Sequence, residues 1–329
     1  MRVTAEIGQG IVHVAPGEDY RWMFPFARTL GRTVNWSALL TYPADSGRGS
    51  FREKLAALQE ARRDGADIWA QVTCRPILQL ISLLDPYSFS YIPAFADVIG
   101  AERSERGRFY ADPAWRARVT AELARGNLLP PRWHLITVAE SEAHTGLIGR
   151  TIAELAVARR TAPFDTMCDL ALEDRMDTRF GVVFANDDEE GVRALLSGAG
   201  CILGLSDAGA HVAQICDAVL STDFLASWVR DRGVMSVEAG SHKLTGEPAR
   251  VLGVDRGILK VGAPADVAVL DLDDLAVGPV RRVFDMPAGG ERLIADSPSG
   301  IVHVLVNGRP IRRDGTPLPD ARAGVVLRS

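Results

Sequence analysis

GLSDAGAHV, residues 204–212, follows the apolar run CIL and ends it abruptly in polar and small residues. Ser206, Asp207 and His211 stand there among glycines and alanines, which let a backbone or a small molecule approach closely. A carboxylate directly after a buried strand is typical of the carboxyl end of a barrel strand, where catalytic groups lie. Spacing alone leaves a second interpretation open, a turn in which Asp207 caps the next helix.

Short β-branched runs alternate with helical patterns on the N-terminal side of this stretch. The predicted strands cover residues 10–15, 32–40, 67–74, 181–186 and 201–207, and the predicted helices cover 19–29, 50–63, 113–124, 151–160 and 189–196. This alternation predicts an α/β fold with parallel strands joined by crossover helices. The segment 76–150 is too long for a simple crossover, so we predict a lid-like insertion there.

The pattern changes near residue 253, where glycine and proline become frequent and the strands shorten. In ADVAVLDL, residues 265–272, outward and inward positions alternate as in a half-buried strand. The stretch GIVHVLVNGRPI, residues 300–311, is typical of two strands joined by a turn. The Asn307-Gly308 pair between them favours a tight hairpin. We therefore predict an α/β domain over residues 1–252 and a small β domain over 253–329.

Charge and hydropathy exclude several classes of partner. The net charge of −5 offers no basic surface for nucleic acid or for anionic membranes. The chain has no apolar run long enough to span a membrane and no apolar secretion core at its start, which predicts a cytoplasmic protein. The four cysteines lie far apart without a C-x-x-C pair, which argues against a zinc knuckle and a disulfide framework.

Four phrases in order resemble the amidohydrolase superfamily, and within it the N-acyl-D-amino-acid deacylases (D-aminoacylases). They are SDAGAH (206–211), LTGEPARVLG (244–253), RGILKVGAPADVAVLD (256–271) and the VNG hairpin (306–308). Looser similarity extends upstream through VVFANDDEEGVRALL (182–196), QVTCRPI (71–77) and IGQGIVHVAP (7–16). The resemblance covers nearly the whole chain, and its specific motifs lie in the last third.

The resemblance implies a (β/α)₈ TIM barrel that binds one or two zinc ions, followed by a small C-terminal β-sandwich. In such enzymes the metal acidifies a bound water, and an aspartate on the last strand moves the water's proton to the departing amine. That aspartate corresponds to Asp207, the predicted catalytic residue and a metal ligand. Ser206, His211 and Arg75 are predicted to contact substrate, although Arg75 equally suits a structural salt bridge.

The sequence also departs from this family's pattern. The family's first strand ends in His-x-His, and no such pair occurs in the 329 residues. Where histidine is expected at two later strand ends, the chain has Ser37 and Cys74; Cys74 is either a thiolate zinc ligand or inert packing. With five barrel-like strands, we expect a partial barrel of about strands 4–8. We then expect the chain to be a truncated gene model, a fragment or a decayed copy. A homo-oligomer or a separately encoded N-terminal half would then be the expected protein partners.

Two classes of function remain from the sequence. The leading hypothesis is a hydrolase of carbon–nitrogen bonds other than peptide bonds, acting on an N-acyl amino acid or a similar small amide. The alternative is a non-catalytic remnant or binding module that keeps the fold without the metal. A cyclic-amide hydrolase or deaminase of the same superfamily would have a similar sequence, because substrate choice depends on the loops.

Overall fold

The computed structural model describes residues 10–44, 46–86, 89–125 and 131–327. Its strands are β1 (Val12–Val14), β2 (Val34–Trp36), β3 (Ile68–Val72), β4 (Ile77–Ile81), β5 (Thr137–Glu140), β6 (Arg179–Ala185), β7 (Cys201–Leu203), β8 (Val267–Leu270), β9 (Val280–Met286), β10 (Gly290–Ala295), β11 (Ile301–Val306), β12 (Arg309–Arg313) and β13 (Thr316–Pro317). Its helices are α1 (Met23–Leu30), α2 (Phe51–Arg63), α3 (Phe95–Gly100), α4 (Gly107–Ala111), α5 (Pro113–Ala124), α6 (Ile152–Arg159), α7 (Pro163–Glu173), α8 (Glu189–Leu196), α9 (Leu220–Asp223) with a π-helical continuation over Phe224–Asp231, α10 (Val237–Leu244) and α11 (Gly246–Leu252). Short 3₁₀ turns cover Arg103–Glu105, Thr145–Leu147 and Pro287–Gly289.

A parallel sheet in the order β1-β2-β3-β7 forms the first layer. Helices α1, α2 and α8 share one hydrophobic core with this sheet, to which α2 contributes Phe51, Leu58 and Ala61 at helical spacing. Strands β2 and β7 are buried along their whole length, as parallel strands between two covered faces usually are. The four strands were predicted from the sequence, and their parallel pairing confirms the α/β class.

The fifth predicted barrel strand belongs to a different sheet, so that part of the prediction was wrong. Strand β6 covers the predicted segment 181–186 but pairs antiparallel with β4 and with β5. An apolar run of this length has the same pattern in either sheet, so the sequence did not separate them. Among the described residues the parallel sheet therefore has four strands in an open row, and it does not close into a barrel.

The antiparallel sheet and helices α3–α7 form a second unit with its own core. This core contains a cluster of aromatic side chains, in which Phe95 contacts Tyr110, Trp115 and Phe164 edge-on or tilted. The unit is built from residues 77–185, so it extends past the predicted insertion boundary at residue 150. After this unit, the chain returns to the parallel sheet through α8 and β7.

The C-terminal residues form two separate antiparallel arrangements. Strands β13-β12-β11-β8 make one sheet, and β9 pairs with β10 in a hairpin. The Asn307-Gly308 turn joins β11 to β12 with φ values of 49° and 76°, which confirms the predicted hairpin. A β-sandwich made from these two arrangements is still a prediction. No helix in the described part of the chain is long and apolar enough to span a membrane.

Candidate functional site

The loop after β7 carries three of the predicted site residues. Asp207 and His211 are exposed and have φ values of 51° and 53°, in the left-handed region that few non-glycine residues adopt. Ser206 Oγ accepts a hydrogen bond of 3.3 Å from the Ala208 amide, which helps to form the turn. The loop therefore presents the Asp207 carboxylate at the carboxyl edge of the parallel sheet rather than capping a regular helix.

Three neighbouring elements hold the distal part of this loop. The Leu80 amide of β4 donates to the Gln214 carbonyl at 2.8 Å, and the Leu293 amide of β10 donates to the Val212 carbonyl at 2.8 Å. Arg282 of β9 donates to the Ala213 carbonyl at 2.8 Å. Because the insertion and the C-terminal hairpin both bind this segment, it has fixed backbone partners on two sides.

Arg75 lies in the short segment between β3 and β4, and its guanidinium already has protein partners. Nε lies 2.6 Å from Asp217 and Nη1 lies 3.2 Å from Asp223. Burial raises the pKa of Asp217 against the attraction of Arg75, and the negative charges of Asp223 and Asp207 raise it further. The structure therefore favours the salt-bridge interpretation of Arg75, which links the end of β3 to the segment that follows Asp207.

Cys74 lies in the core next to this ion-pair group. It is 2% exposed, and its Sγ is 3.6 Å from the Leu220 carbonyl oxygen. Burial raises the pKa of the Cys74 thiol, and the negative charge of Asp223 raises it as well. Burial and the neighbouring negative charge thus favour the protonated thiol when no cation is bound, which fits the interpretation of Cys74 as inert packing.

The zinc ion that the resemblance implies would need several donor side chains close together. Within residues 10–44, 46–86, 89–125 and 131–327, no group of three or more His, Cys, Asp or Glu side chains is arranged to hold a metal. The carboxylate nearest Cys74, Asp223, is already bound to Arg75 and to Ser227 Oγ. The described residues therefore do not fit a zinc site.

Asn186 has a positioning role that the sequence did not predict. It is 2% exposed with φ of 66°, and its Nδ2 donates to the carbonyls of Thr73 at 2.8 Å and Arg75 at 3.2 Å. Its Oδ1 accepts from the Thr41 amide at 3.1 Å. One amide side chain thus joins the ends of β2, β3 and β6. The only signal in the sequence is an asparagine directly after an apolar strand.

A cavity of about 1000 Å³ lies between the parallel sheet and the insertion. Its wall combines the loop after β2, the start of α2, the end of β6 and residues 131–136. None of the predicted site residues Ser206, Asp207, His211, Arg75 and Cys74 lines it. The structure therefore separates the predicted catalytic loop from this cavity, although both lie at the carboxyl edge of the parallel sheet.

Comparison with known proteins gives one family and several relatives. The sequence profile of the amidohydrolase family matches residues 110–312. An uncharacterised protein of Mycobacterium tuberculosis is 26% identical over 226 residues, which cover 65% of this chain and 37% of that protein. The N-acyl-D-glutamate deacylase of Alcaligenes xylosoxydans xylosoxydans is 31% identical over 198 residues, or 59% of this chain and 36% of that one.

Solved structures agree on the fold. The N-acyl-D-glutamate deacylase of Bordetella bronchiseptica, complexed with zinc and a phosphonate inhibitor, is 24% identical with a TM-score of 0.54 over 93% of this chain and 52% of its own. A D-aminoacylase with a binuclear metal centre is 20% identical with a TM-score of 0.53 over 98% of this chain and 56% of its own. The chain spans about half the length of these structures.

Proposed function

The chain belongs to the amidohydrolase family, and from that premise we propose that it hydrolyses a carbon–nitrogen bond other than a peptide bond in a small amide. The proposed substrate class is an N-acyl amino acid, with the D configuration suggested by the N-acyl-D-glutamate deacylase relative. The products would be a carboxylic acid and a free amine. Hydrolysis balances with water alone, because water's oxygen joins the acyl carbon and its two protons end on the products.

The observation that carries the proposal is the placement of Asp207. It lies on an exposed turn at the carboxyl end of β7, and it is flanked by the small residues Ala208 and Gly209. A carboxylate there has room to accept a proton from the attacking water and to return it to the leaving nitrogen. His211 lies on the same turn, where its imidazole can contact the substrate or the carboxylate.

The proposed reaction assigns no step to zinc. The homologous structures contain zinc or a binuclear metal centre, but the donor groups among the described residues do not match such a site. What these residues supply is the proton-transfer carboxylate and the turn that presents it.

The test compares native protein with Asp207→Asn, each assayed for release of free amine from N-acetyl-D-amino acids. We expect the substitution to lower kcat/KM at least about a hundredfold, since positioned proton transfer contributes roughly that much. Asp320→Asn, an exposed aspartate in the C-terminal region, is the matched control and retains native activity. Equal rates for Asp207→Asn and native protein would contradict the role of Asp207.

A second candidate function is a binding module without catalysis. It is supported by the absence of a metal-ligand cluster from the part of the chain that the structure describes. Isothermal titration with an N-acyl amino acid, followed by analysis of the recovered ligand, distinguishes the two functions. Binding with the ligand recovered intact supports the module, and recovery of amine and acid supports the hydrolase.

A further inference from the structure

The cavity of about 1000 Å³ has a wall suited to an apolar ligand. Phe51 lines it from the core of the parallel sheet, and Trp133 and Phe184 line it from the insertion side. Tyr42 contributes a ring from the loop after β2, and Phe89 and Tyr91 contribute two more. A cavity between two packed units, lined by rings and a few polar groups, is the usual form of a small-molecule site.

Most charged groups of the wall already have protein partners. Arg132 donates to Asp187 at 2.7 Å and to the Val183 carbonyl at 2.9 Å. The Asp188 carboxylate accepts from the Gly191 amide at 3.1 Å and so caps α8. Because these groups already have partners, they give little attraction for a charged ligand, and the rings dominate the binding surface.

Among the described residues, one fully buried polar side-chain atom of the wall lacks a hydrogen-bond partner. Thr41 is 1% exposed, and among the described residues its Oγ1 has no hydrogen-bond partner. Both of its backbone polar groups bond to Asn186. A buried hydroxyl without a partner is unfavourable, and a water molecule retained beside a bound ligand would satisfy it.

We propose that this cavity binds the acyl chain of the substrate, and that the preferred acyl group is a medium or long aliphatic chain rather than acetyl. This inference rests on the proposed hydrolase function. An acetyl group or a single amino-acid side chain would leave much of the cavity unfilled, which forfeits dispersion contacts with its rings. An elongated chain also suits the separation of the cavity from the Asp207 turn, because one ligand has to contact both.

The test is equilibrium binding, which needs no turnover. Isothermal titration of Asp207→Asn compares N-octanoyl-D-alanine with N-acetyl-D-alanine, N-acetyl-D-phenylalanine and free octanoate. We expect N-octanoyl-D-alanine to bind at least tenfold more tightly than each of the other three. Binding of N-acetyl-D-phenylalanine as tight as that of the octanoyl compound would assign the cavity to the amino-acid side chain, and equally tight octanoate would assign it to a free fatty acid; either result overturns the proposal.

A cavity-filling pair of variants locates the binding. Ala153 of α6 lines the cavity, and Ala158 is exposed on the same helix outside the cavity lining. Ala153→Trp is expected to weaken N-octanoyl-D-alanine binding at least tenfold and to leave N-acetyl-D-alanine binding unchanged, while Ala158→Trp changes neither. Unchanged octanoyl affinity in Ala153→Trp, or equal losses in both variants, would overturn the proposal.

The same data separate this inference from the proposed function. Tight octanoyl binding that Ala153→Trp abolishes, together with an inactive native protein, retains the acyl site and removes the hydrolase. Native hydrolysis with equal affinity for octanoyl and acetyl compounds retains the hydrolase and removes the acyl site.

Discussion

At the scale of single residues, Arg75 shows why a side chain's type does not fix its role. The sequence allowed either a substrate carboxylate or a structural partner, because a guanidinium matches both in geometry. The fold brings Asp217 and Asp223 to it, from segments 142 residues and more along the chain. Such distant pairing has no local sequence signal, so the choice between the two roles needed the structure.

Removal of Arg75 tests its structural role. Arg75→Met leaves Asp217 and Asp223 without their cation, and we expect a loss of about 2–3 kcal/mol in the free energy of unfolding, less than for a fully buried pair. Urea denaturation followed by circular dichroism measures it. Arg52→Met is the matched control, because Arg52 and Glu190 form an exposed pair that contributes within about 1 kcal/mol. Equal losses in the two variants would contradict the structural role.

At the scale of elements, most helices and strands followed from local patterns, whereas their pairing did not. Helix α6 begins with a capping box, Thr151 and Glu154, at the predicted position. Helix α5 has Pro113 in its first turn behind the cap Asp112. Strand β6 was also predicted from the sequence, but it was assigned to the wrong sheet. An apolar run indicates that a strand is buried, but it does not indicate which strands pair with it.

Asp174 ties three elements of the insertion together and gives a pH-dependent prediction. Its carboxylate accepts hydrogen bonds from Ser141 Oγ at 2.6 Å, Thr178 Oγ1 at 2.9 Å and the Ala143 amide at 3.1 Å. Burial opposes ionisation, but these three bonds outweigh it and lower the pKa of Asp174. Ionised Asp174 therefore stabilises the fold above its unfolded pKa of about 3.9, and the contribution is lost as the pH falls through the lower, folded value.

We therefore expect Asp174→Ala to lower the free energy of unfolding by about 1–3 kcal/mol at pH 7. The difference from native protein should shrink below about pH 4, where the native carboxylate becomes protonated. Urea titrations from pH 7 to pH 3 measure both values. Asp177→Ala, at an exposed neighbouring position, serves as the control. A native-to-variant difference that stays constant down to pH 3 would contradict the assignment.

At the scale of the whole molecule, the family and the α/β class could be predicted from four short phrases, while the site could be predicted only in part. The phrase SDAGAH placed Asp207 and His211 together on one exposed turn, as expected for neighbours in sequence. The cavity could not be predicted, because Phe51, Trp133 and Phe184 meet only when the insertion packs on the parallel sheet. Asn186 was missed for the same reason, since its partners come from two distant loops.

The central claim is that this chain hydrolyses an N-acyl amino acid. Hydrolysis is measured by incubating the native protein with an N-acyl-D-amino acid in water enriched in oxygen-18, followed by mass spectrometry of the products. We expect equal amounts of free amine and carboxylic acid, with one labelled oxygen in each acid molecule. Recovery of the N-acyl compound intact, with no amine above the level of a protein-free control, would contradict it.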